Sequence, residues 1–309
     1  MNPTPPRPAG AAPTPPHPDG PAAGSASPAP GGAHAAGGHT QHSGDQAELL
    51  DLEAEVLAEH LASLTAWLPV DEDPRRIVDL GCGTGAGTFA LLTRFPEAEV
   101  TAVDASAVHL DRLRERAEAL GVAGRVRVVR ADLDAERPEL GRPELAWASS
   151  AMHHLADPGR VLRRVRELLA PGGLFALVEP AGFPRFLPED APEDRPGLEE
   201  RCHTALAGHH AEQVPHRGAD WGPGLAAAGF AVVGERVVTV DVDRSRGPAV
   251  GRYALSGLRR LREAAAHALT AEDLAALDRL LDTEDPRGIA RRGDLAVRTE
   301  LTAWAARRP

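Results

Sequence analysis

The sequence predicts an α/β protein, a mostly parallel sheet with helices on both faces. Three observations lead there. The stretch Ile77 to Gly87, IVDLGCGTGAG, runs branched apolar residues into a turn with glycines at alternate positions, as when a buried parallel strand ends at a binding loop. Strand-like and helix-like periodicities then alternate along the chain, so successive strands are joined by right-handed crossover helices. With 309 residues and 42% hydrophobic content, the chain can bury a core large enough for such a sheet.

Taken in order, residues 1–44 are dominated by Pro, Ala, Gly, Thr and Ser, with pairs such as Pro5-Pro6 and Pro15-Pro16. So little apolar surface cannot offset the entropy of ordering, and a disordered, partly polyproline-like tail is expected, with His17, His34, His39 and His42 in it. The folded unit is expected over 45–309. From Gln46 to Leu68, Leu49, Leu52, Val56, Leu57, Leu61, Leu64 and Leu68 recur at helical spacing and mark one amphipathic helix. Thr84 to Leu92 fits a helix whose first N–H groups face the glycine turn, where a carboxylate or phosphate could be held.

Glu99 to Val103 reads as a strand ending in Asp104. Ser106 to Leu120 reads as a helix stopped by Gly121. Strands follow at Arg125 to Arg130, Leu145 to Ser150 and Leu174 to Glu179, with a helix at Asp157 to Ala170 closed by Pro171-Gly172-Gly173. Residues 181 to about 220 interrupt the pattern with prolines, acids and histidines, and an irregular insertion of that length suggests a functional lid. A short helix (Trp221 to Ala228), a strand (Phe230 to Val242), two helices (Pro248 to Leu269 and Ala271 to Leu281) and a last strand from Leu295 to Trp304 complete the chain. Thr270 with Asp273 three residues on is a capping-box-like start. A second substrate-side insertion is expected over about 245–290.

The charge balance excludes several function classes. Lys plus Arg total 34 against 45 Asp plus Glu, a net charge of −11 with no basic run, so neither nucleic acid nor an anionic membrane surface is expected as partner. Two cysteines, Cys82 and Cys202, are too few for a disulfide framework and suit reduced thiols of a cytoplasmic protein. No signal peptide or apolar run of spanning length is visible.

A glycine turn followed by an acid at the end of the next strand, here Asp104, serves ribose hydroxyls in dinucleotide enzymes and in other adenosine-binding folds. Asp79, two residues before Gly81, would repel a pyrophosphate but could meet an amino group. Asp132, after the third strand, could accept from an adenine amino group, and the interrupted pattern near the end suggests an antiparallel strand added at the sheet edge. Together these favour S-adenosylmethionine (SAM) over NAD. A nicotinamide-dependent oxidoreductase remains the alternative, because Gly81 through Ala86 also fits a loose GxGxxA pattern. A SAM-binding protein without turnover is the second.

Asp79-Leu80-Gly81-Cys82-Gly83-Thr84-Gly85, Val103-Asp104, Ala131-Asp132-Leu133, Ser150 to Leu155 and Leu169-Ala170-Pro171-Gly172-Gly173 resemble, in order and spacing, the motifs of class I SAM-dependent methyltransferases. They particularly resemble the small-molecule branch with quinone-biosynthesis and actinobacterial natural-product enzymes. The resemblance implies a Rossmann-like seven-stranded, mostly parallel sheet with an antiparallel last strand, and methyl transfer to a small organic molecule. It implies that Gly81, Cys82, Gly83 and Gly85 line the methionine part and that Asp79 faces its amino group. It further implies that Asp104 with Ala105 holds the ribose, that Ala131, Asp132 and Leu133 border adenine, and that His109 and Ser149 complete the cofactor wall. Ser149-Ser150-Ala151-Met152 stands where methyltransferases of DNA or protein amino groups resemble one another in an Asp/Asn-Pro-Pro-aromatic motif, which argues against those acceptors.

His153 and His154 follow the fourth strand, where the family's cofactor meets its substrate. His154 above all is a candidate pocket wall, substrate hydrogen-bond partner or general base; a satisfied buried imidazole is the alternative. Cys202, His203, His209, His210 and His216 lack the paired spacing of zinc motifs, so no metal site is expected. Arg252 and Arg259 share a helix face with room for an anionic group, although acid partners on a solvated face explain them as well.

Overall fold

In a computed structural model, the described residues are Met1 and 35–309, with side chains described from Gly44 onward. The tail expected over residues 1–44 therefore lies, from 2 to 34, outside the described residues, and so do the side chains of His17, His34, His39 and His42.

Seven strands form one sheet: β1 (Arg76–Leu80), β2 (Glu99–Asp104), β3 (Val126–Arg130), β4 (Leu145–Ser149), β5 (Leu174–Pro180), β6 (Ala231–Asp243) and β7 (Ala296–Arg307). Their order is β3-β2-β1-β4-β5-β7-β6, with β1 to β5 parallel and β7 antiparallel to both its neighbours. The antiparallel strand is thus inserted between β5 and β6 rather than added at the edge. β7 pairs with β6 from Ala296 to Arg307, and this long ladder makes the last two strands a ribbon whose inner member docks on β5.

Alternate strand residues feed two cores, as the pleat requires. Ile77, Val100, Leu145, Trp147, Ala176 and Val178 pack in one with the helices α1 (Ala35–Val56), α2 (Ala58–Trp67) and α3 (Ala86–Arg94). Val78, Leu80, Ala146, Ala148, Phe175 and Leu177 pack in the other with Val161, Leu162 and Val165 of α5 (Pro158–Leu168) and Leu225 of α8 (Gly222–Ala227). Each such side chain contributes about 1.5–3 kcal/mol by leaving water, so the sheet stays rigid where the ends of its strands carry the site. Side-chain caps start three helices where the sequence suggests: Ser106 accepts from His109 N–H at α4 (Ala107–Ala119), Asp157 from Arg160 N–H at α5, and Thr270 from Asp273 N–H at α10 (Ala271–Leu281).

Two expectations change. The helix expected from Gln46 to Leu68 is divided at Leu57 (φ −92°, ψ 5°), and α1 continues N-terminally to Ala35. The insertion after β5, expected to be irregular, contains α6 (Leu198–Ala205) and α7 (Ala207–Gln213). Leu198, Cys202 and Leu206, four apart, are its buried stripe. A stripe that short is hidden among acids and prolines. Asp273 of α10 anchors it by pairing with Arg195 (2.8 Å) and Arg201 (2.9 Å), and against α6 lies the longer helix α9 (Pro248–Ala264).

Candidate active site

The glycine turn after β1 is fixed from several sides. Gly81 and Cys82 N–H groups donate to Val103 O of β2 (2.8 and 3.0 Å), and Gly83 N–H donates to Asp104 Oδ2 (2.9 Å). Gly81, Gly83 and Gly85 all have positive φ (69°, 53° and 95°). A Cβ on Gly81 would lie 2.5 Å from that of Ala151, so the turn passes directly under the loop after β4. Gly85 has a different duty: its missing Cβ makes room for Phe89 and Leu113 at the start of α3.

Over this turn lies a cavity of about 400 Å³, within the range of small-molecule sites. Its wall includes Asp79, Gly81, Cys82, Gly83, Asp104, Ala105, His109, Ala131, Asp132, Leu133 and Ser149. Of the cofactor residues expected from the sequence, Gly85 alone is absent from the wall. The roof is α1, which contributes Gln46, Leu50, Glu53 and Ala54. Asp51 holds that helix through Arg112 (2.7 Å) and Arg116 (3.3 Å), and Glu48 through Arg252 (2.9 Å).

The two acids of the turn are in opposite electrostatic states. Burial pushes the Asp79 carboxyl up to about 7, with the Asp104 charge adding to it and the Thr88 hydroxyl, 2.6 Å away, opposing. Burial would raise Asp104 too, but His109 and the Ser106 and Gly83 N–H groups outweigh it and hold that carboxyl below the usual range. Asp104 is therefore a fixed anion, and Asp79 a carboxyl that a nearby cation would ionise. Burial, with both carboxylates nearby, pushes the Cys82 thiol up and keeps it protonated.

A second cavity, of about 410 Å³, adjoins the first. Gln46, Leu50, Glu53, Ser150 and His154 line both. Ser150 sits at this junction with φ 53°, among the described residues the one non-glycine in the left-handed region, a conformation that costs of order 1–2 kcal/mol and places the loop between the two spaces. The two insertions meet around the second cavity, Phe183, His203, His210 and Arg217 coming from the first, Tyr253, Gly257 and Arg260 from α9.

The adjacent histidines part company. His153 is fully buried and reaches neither cavity wall. Arg217 Nη2 donates to its Nε2 (2.7 Å), so Nδ1 carries the proton and donates to Glu179, which also accepts the N–H groups of Ala151 and Met152. It is a strut of the loop. His154 faces both cavities, and burial, with the neighbouring His153 and the Arg217 charge, brings its imidazole down to about 4. An imidazole that weak is neutral at pH 7 and a poor acceptor for a phenolic proton. His154→Ala is accordingly expected to leave the shape of the pH–rate profile between pH 6 and 9 unchanged; a lost acid limb in the variant would restore His154 as the base.

The remaining candidates scatter. Cys202 is buried in the core of the first insertion, His210 stacks on Phe183 (3.9 Å), His216 lies against Trp221, and His203 is brought down to about 4 by burial and by Arg185. Arg252 is paired with Glu48 and Arg262 with Asp278; Arg259 is exposed, and its neighbour Arg260 reaches the second cavity instead. Sequence reasoning missed Glu53, Arg217 and Tyr253. Only Glu53 left a signal, a carboxylate among Leu49, Leu52, Val56 and Leu57 on the apolar stripe of its helix.

A family model for a methyltransferase domain matches residues 78–175. Over 119 residues the chain is 39% identical to a trans-aconitate 2-methyltransferase of Methylobacterium radiotolerans, covering 38% of this chain and 43% of that protein. A malonyl-[acyl-carrier protein] O-methyltransferase of Halorhodospira halophila is 40% identical over 114 residues, covering 36% and 38%. These matches span less than half the length of the curated relatives. Among solved structures, a candidate methyltransferase from Bacillus halodurans C-125 shares the fold with a TM-score of 0.51 and 18% identity, covering 81% of this chain and 98% of that one. No helix among the described residues is long and apolar enough to cross a membrane.

Proposed function

We propose that this chain is a class I SAM-dependent methyltransferase, as the methyltransferase-domain match and the similar proteins support, and that it transfers a methyl group to a small organic molecule held in its second cavity. The observation that carries the proposal is the pair of adjoining cavities with a common wall at Glu53, Ser150 and His154. One takes the donor and the other the acceptor.

Two features of the first cavity suit the donor. Thr84 Oγ1 and Trp147 Nε1 are buried polar atoms of its wall without a partner, and both can donate to the methionine carboxylate. The absence of a Cβ at Gly81 leaves the backbone open to a ligand. On this reading Asp79 faces the amino group, Asp104 takes the ribose hydroxyls, Asp132 and Leu133 border adenine, and His109 covers the adenosine. SAM supplies a methyl group already activated by the sulfonium charge. The protein's part is to align the acceptor with that methyl and keep water out, which α1 does over both cavities and the two insertions do over the second.

Residues 45–309 then make up the methyltransferase unit, about 181–220 and 245–290 its acceptor side, and the setting is cytoplasmic. Titration calorimetry with SAM, S-adenosylhomocysteine (SAH) and NAD tests the donor, and mass detection of products heavier by one methyl tests the transfer. We expect SAM and SAH to bind and NAD not to. Tight NAD binding would favour the oxidoreductase; tight SAM binding without any methylated product from a broad metabolite extract would favour a binding protein.

A further inference from the structure

Resting on the methyl-transfer reading, we infer that the acceptor cavity takes an uncharged, largely apolar molecule presenting one weakly acidic hydroxyl, a phenol or an enol, and that Glu53 receives its proton.

Leu49, Leu50, Phe183, Phe186, Leu206 and Leu261 give the cavity its apolar surface. Its lining contains two arginines, Arg217 and Arg260. Arg217 is already committed: it donates to His153 Nε2 and to Gly182 O (3.2 Å), lies 4.4 Å over the Phe183 ring, and has Glu53 and Glu179 as counter-charges. Its Nε is buried without a partner, one donor for one oxygen. Arg260 is on the exposed side of α9. His154 and His203, both brought down to about 4, and His210, lowered by burial, add no positive charge at neutral pH.

Such a lining cannot neutralise two or three carboxylates. A polyanion would also meet the Glu53 carboxylate, and an unpaired charge brought into a largely buried site costs several kcal/mol. The relatives' names include a polycarboxylate, trans-aconitate. However, the methyltransferase-domain match ends at residue 175, before either insertion that builds this wall. A small apolar hydroxyl compound fits what those insertions provide.

Glu53 is placed for the proton. It lines both cavities and therefore stands where acceptor and methyl donor meet. Burial pushes its carboxyl up, with Arg217 and Tyr253 opposing, which makes it a stronger base than an ordinary carboxylate. Tyr253 beside it is a positioning residue: burial and Glu53 hold its phenol well above the usual range, so it stays protonated and can donate to the Glu53 carboxylate. In the reaction the acceptor O–H bond breaks with its proton passing to Glu53, the oxygen pair forms the bond to the methyl carbon, and the carbon–sulfur pair remains on sulfur, giving SAH and a methyl ether.

The test uses matched probes on one ring, 2-naphthol and 2-naphthoate, with trans-aconitate as the polyanion, and methylated products read by mass. The expected result is methylation of 2-naphthol with kcat/KM at least about tenfold above that for 2-naphthoate, and none of trans-aconitate. In Glu53→Gln, kcat for 2-naphthol is expected to fall about 10²–10³-fold and the acid limb of its pH profile to vanish, in protein that still binds SAH. The loss should shrink below about tenfold for 4-nitrophenol, which is largely ionised at pH 8 and has no proton to give. Equal losses on both phenols would overturn the proton-accepting role. Preference for either carboxylate, or no methylation of 2-naphthol by protein that binds SAH, would overturn the acceptor class and leave methyl transfer standing. Failure of the unmodified protein to bind SAH would remove methyl transfer itself.

Discussion

Gly81→Ala is expected to weaken SAM binding by at least about 100-fold and to lower the melting temperature by about 10 °C. The new Cβ would lie 2.5 Å from the Cβ of Ala151, and neither atom ends a flexible side chain that could swing away. Gly81 is tied by its N–H to Val103 O, and the loop carrying Ala151 is tied by the Ala151 and Met152 N–H groups to Glu179. The left-handed φ of 69° adds about 1–2 kcal/mol for any L side chain, and overpacking adds about 1–3 kcal/mol more. In a protein of this size each kcal/mol shifts the midpoint by roughly 2–4 °C. Gly172→Ala is the control: its φ is 73°, but nothing lies within 4 Å of the added Cβ. It should cost the strain alone and leave SAM affinity intact. Calorimetric titration and thermal melts of the two variants separate cavity loss from strain; equal SAM binding by both would remove Gly81 from the cofactor site.

The second large effect is on the pH dependence of SAM affinity through Asp79. Burial holds its carboxyl up at about 7 in the folded protein against an ordinary value of 3.8. Between those values the ligand-free fold holds a proton that the unfolded chain has released. Stability of the ligand-free protein therefore falls as pH rises from about 4 to 7, by on the order of 4 kcal/mol in all. An ammonium group placed against the carboxylate reverses that cost. SAM affinity should accordingly rise with pH, by up to about tenfold per unit between pH 5 and 7, and level off above. Asp79→Asn should flatten the dependence, weaken binding at pH 8 and raise the melting temperature of the ligand-free protein at that pH. Kd values measured at half-unit steps from pH 5.5 to 8.5 decide it: a wild-type Kd without pH dependence would mean that Asp79 does not meet the amino group.

The parts of this molecule that were legible in the sequence are those set by short-range pattern. β1, β4 and β5 read as apolar runs because both their faces are covered, and Ser106, Asp157 and Thr270 announced their helices because capping chemistry is local. The wall of the first cavity was legible mainly through motif order, since Asp79 lies near the end of β1, Asp104 ends β2 and Asp132 follows β3 in a repeating unit. Three features were not. The place of β7 depends on pairing with β5 and β6 far away in the chain, which no periodicity encodes. α6 buries three side chains along its stripe, too few to stand out. The group of Glu53, Arg217 and Tyr253 comes from three separate segments, and no spacing rule connects positions 53, 217 and 253. The catalytic expectation settled on the histidine pair because adjacency is visible in sequence, whereas the contact of His153 with Glu179 and Arg217 is not.

Finally, α1 is a wall of two spaces at once. Its docking relies on apolar contacts and on ion pairs that are partly exposed, each contributing about 1 kcal/mol or less. A ligand in either cavity adds contacts to the same face, at Gln46, Leu50 and Glu53, and holds the helix where the other ligand requires it. On the proposed function the two molecules are therefore expected to bind with positive cooperativity though they occupy separate chambers. Whatever free energy the donor lends the acceptor through this helix, the acceptor must return in equal measure.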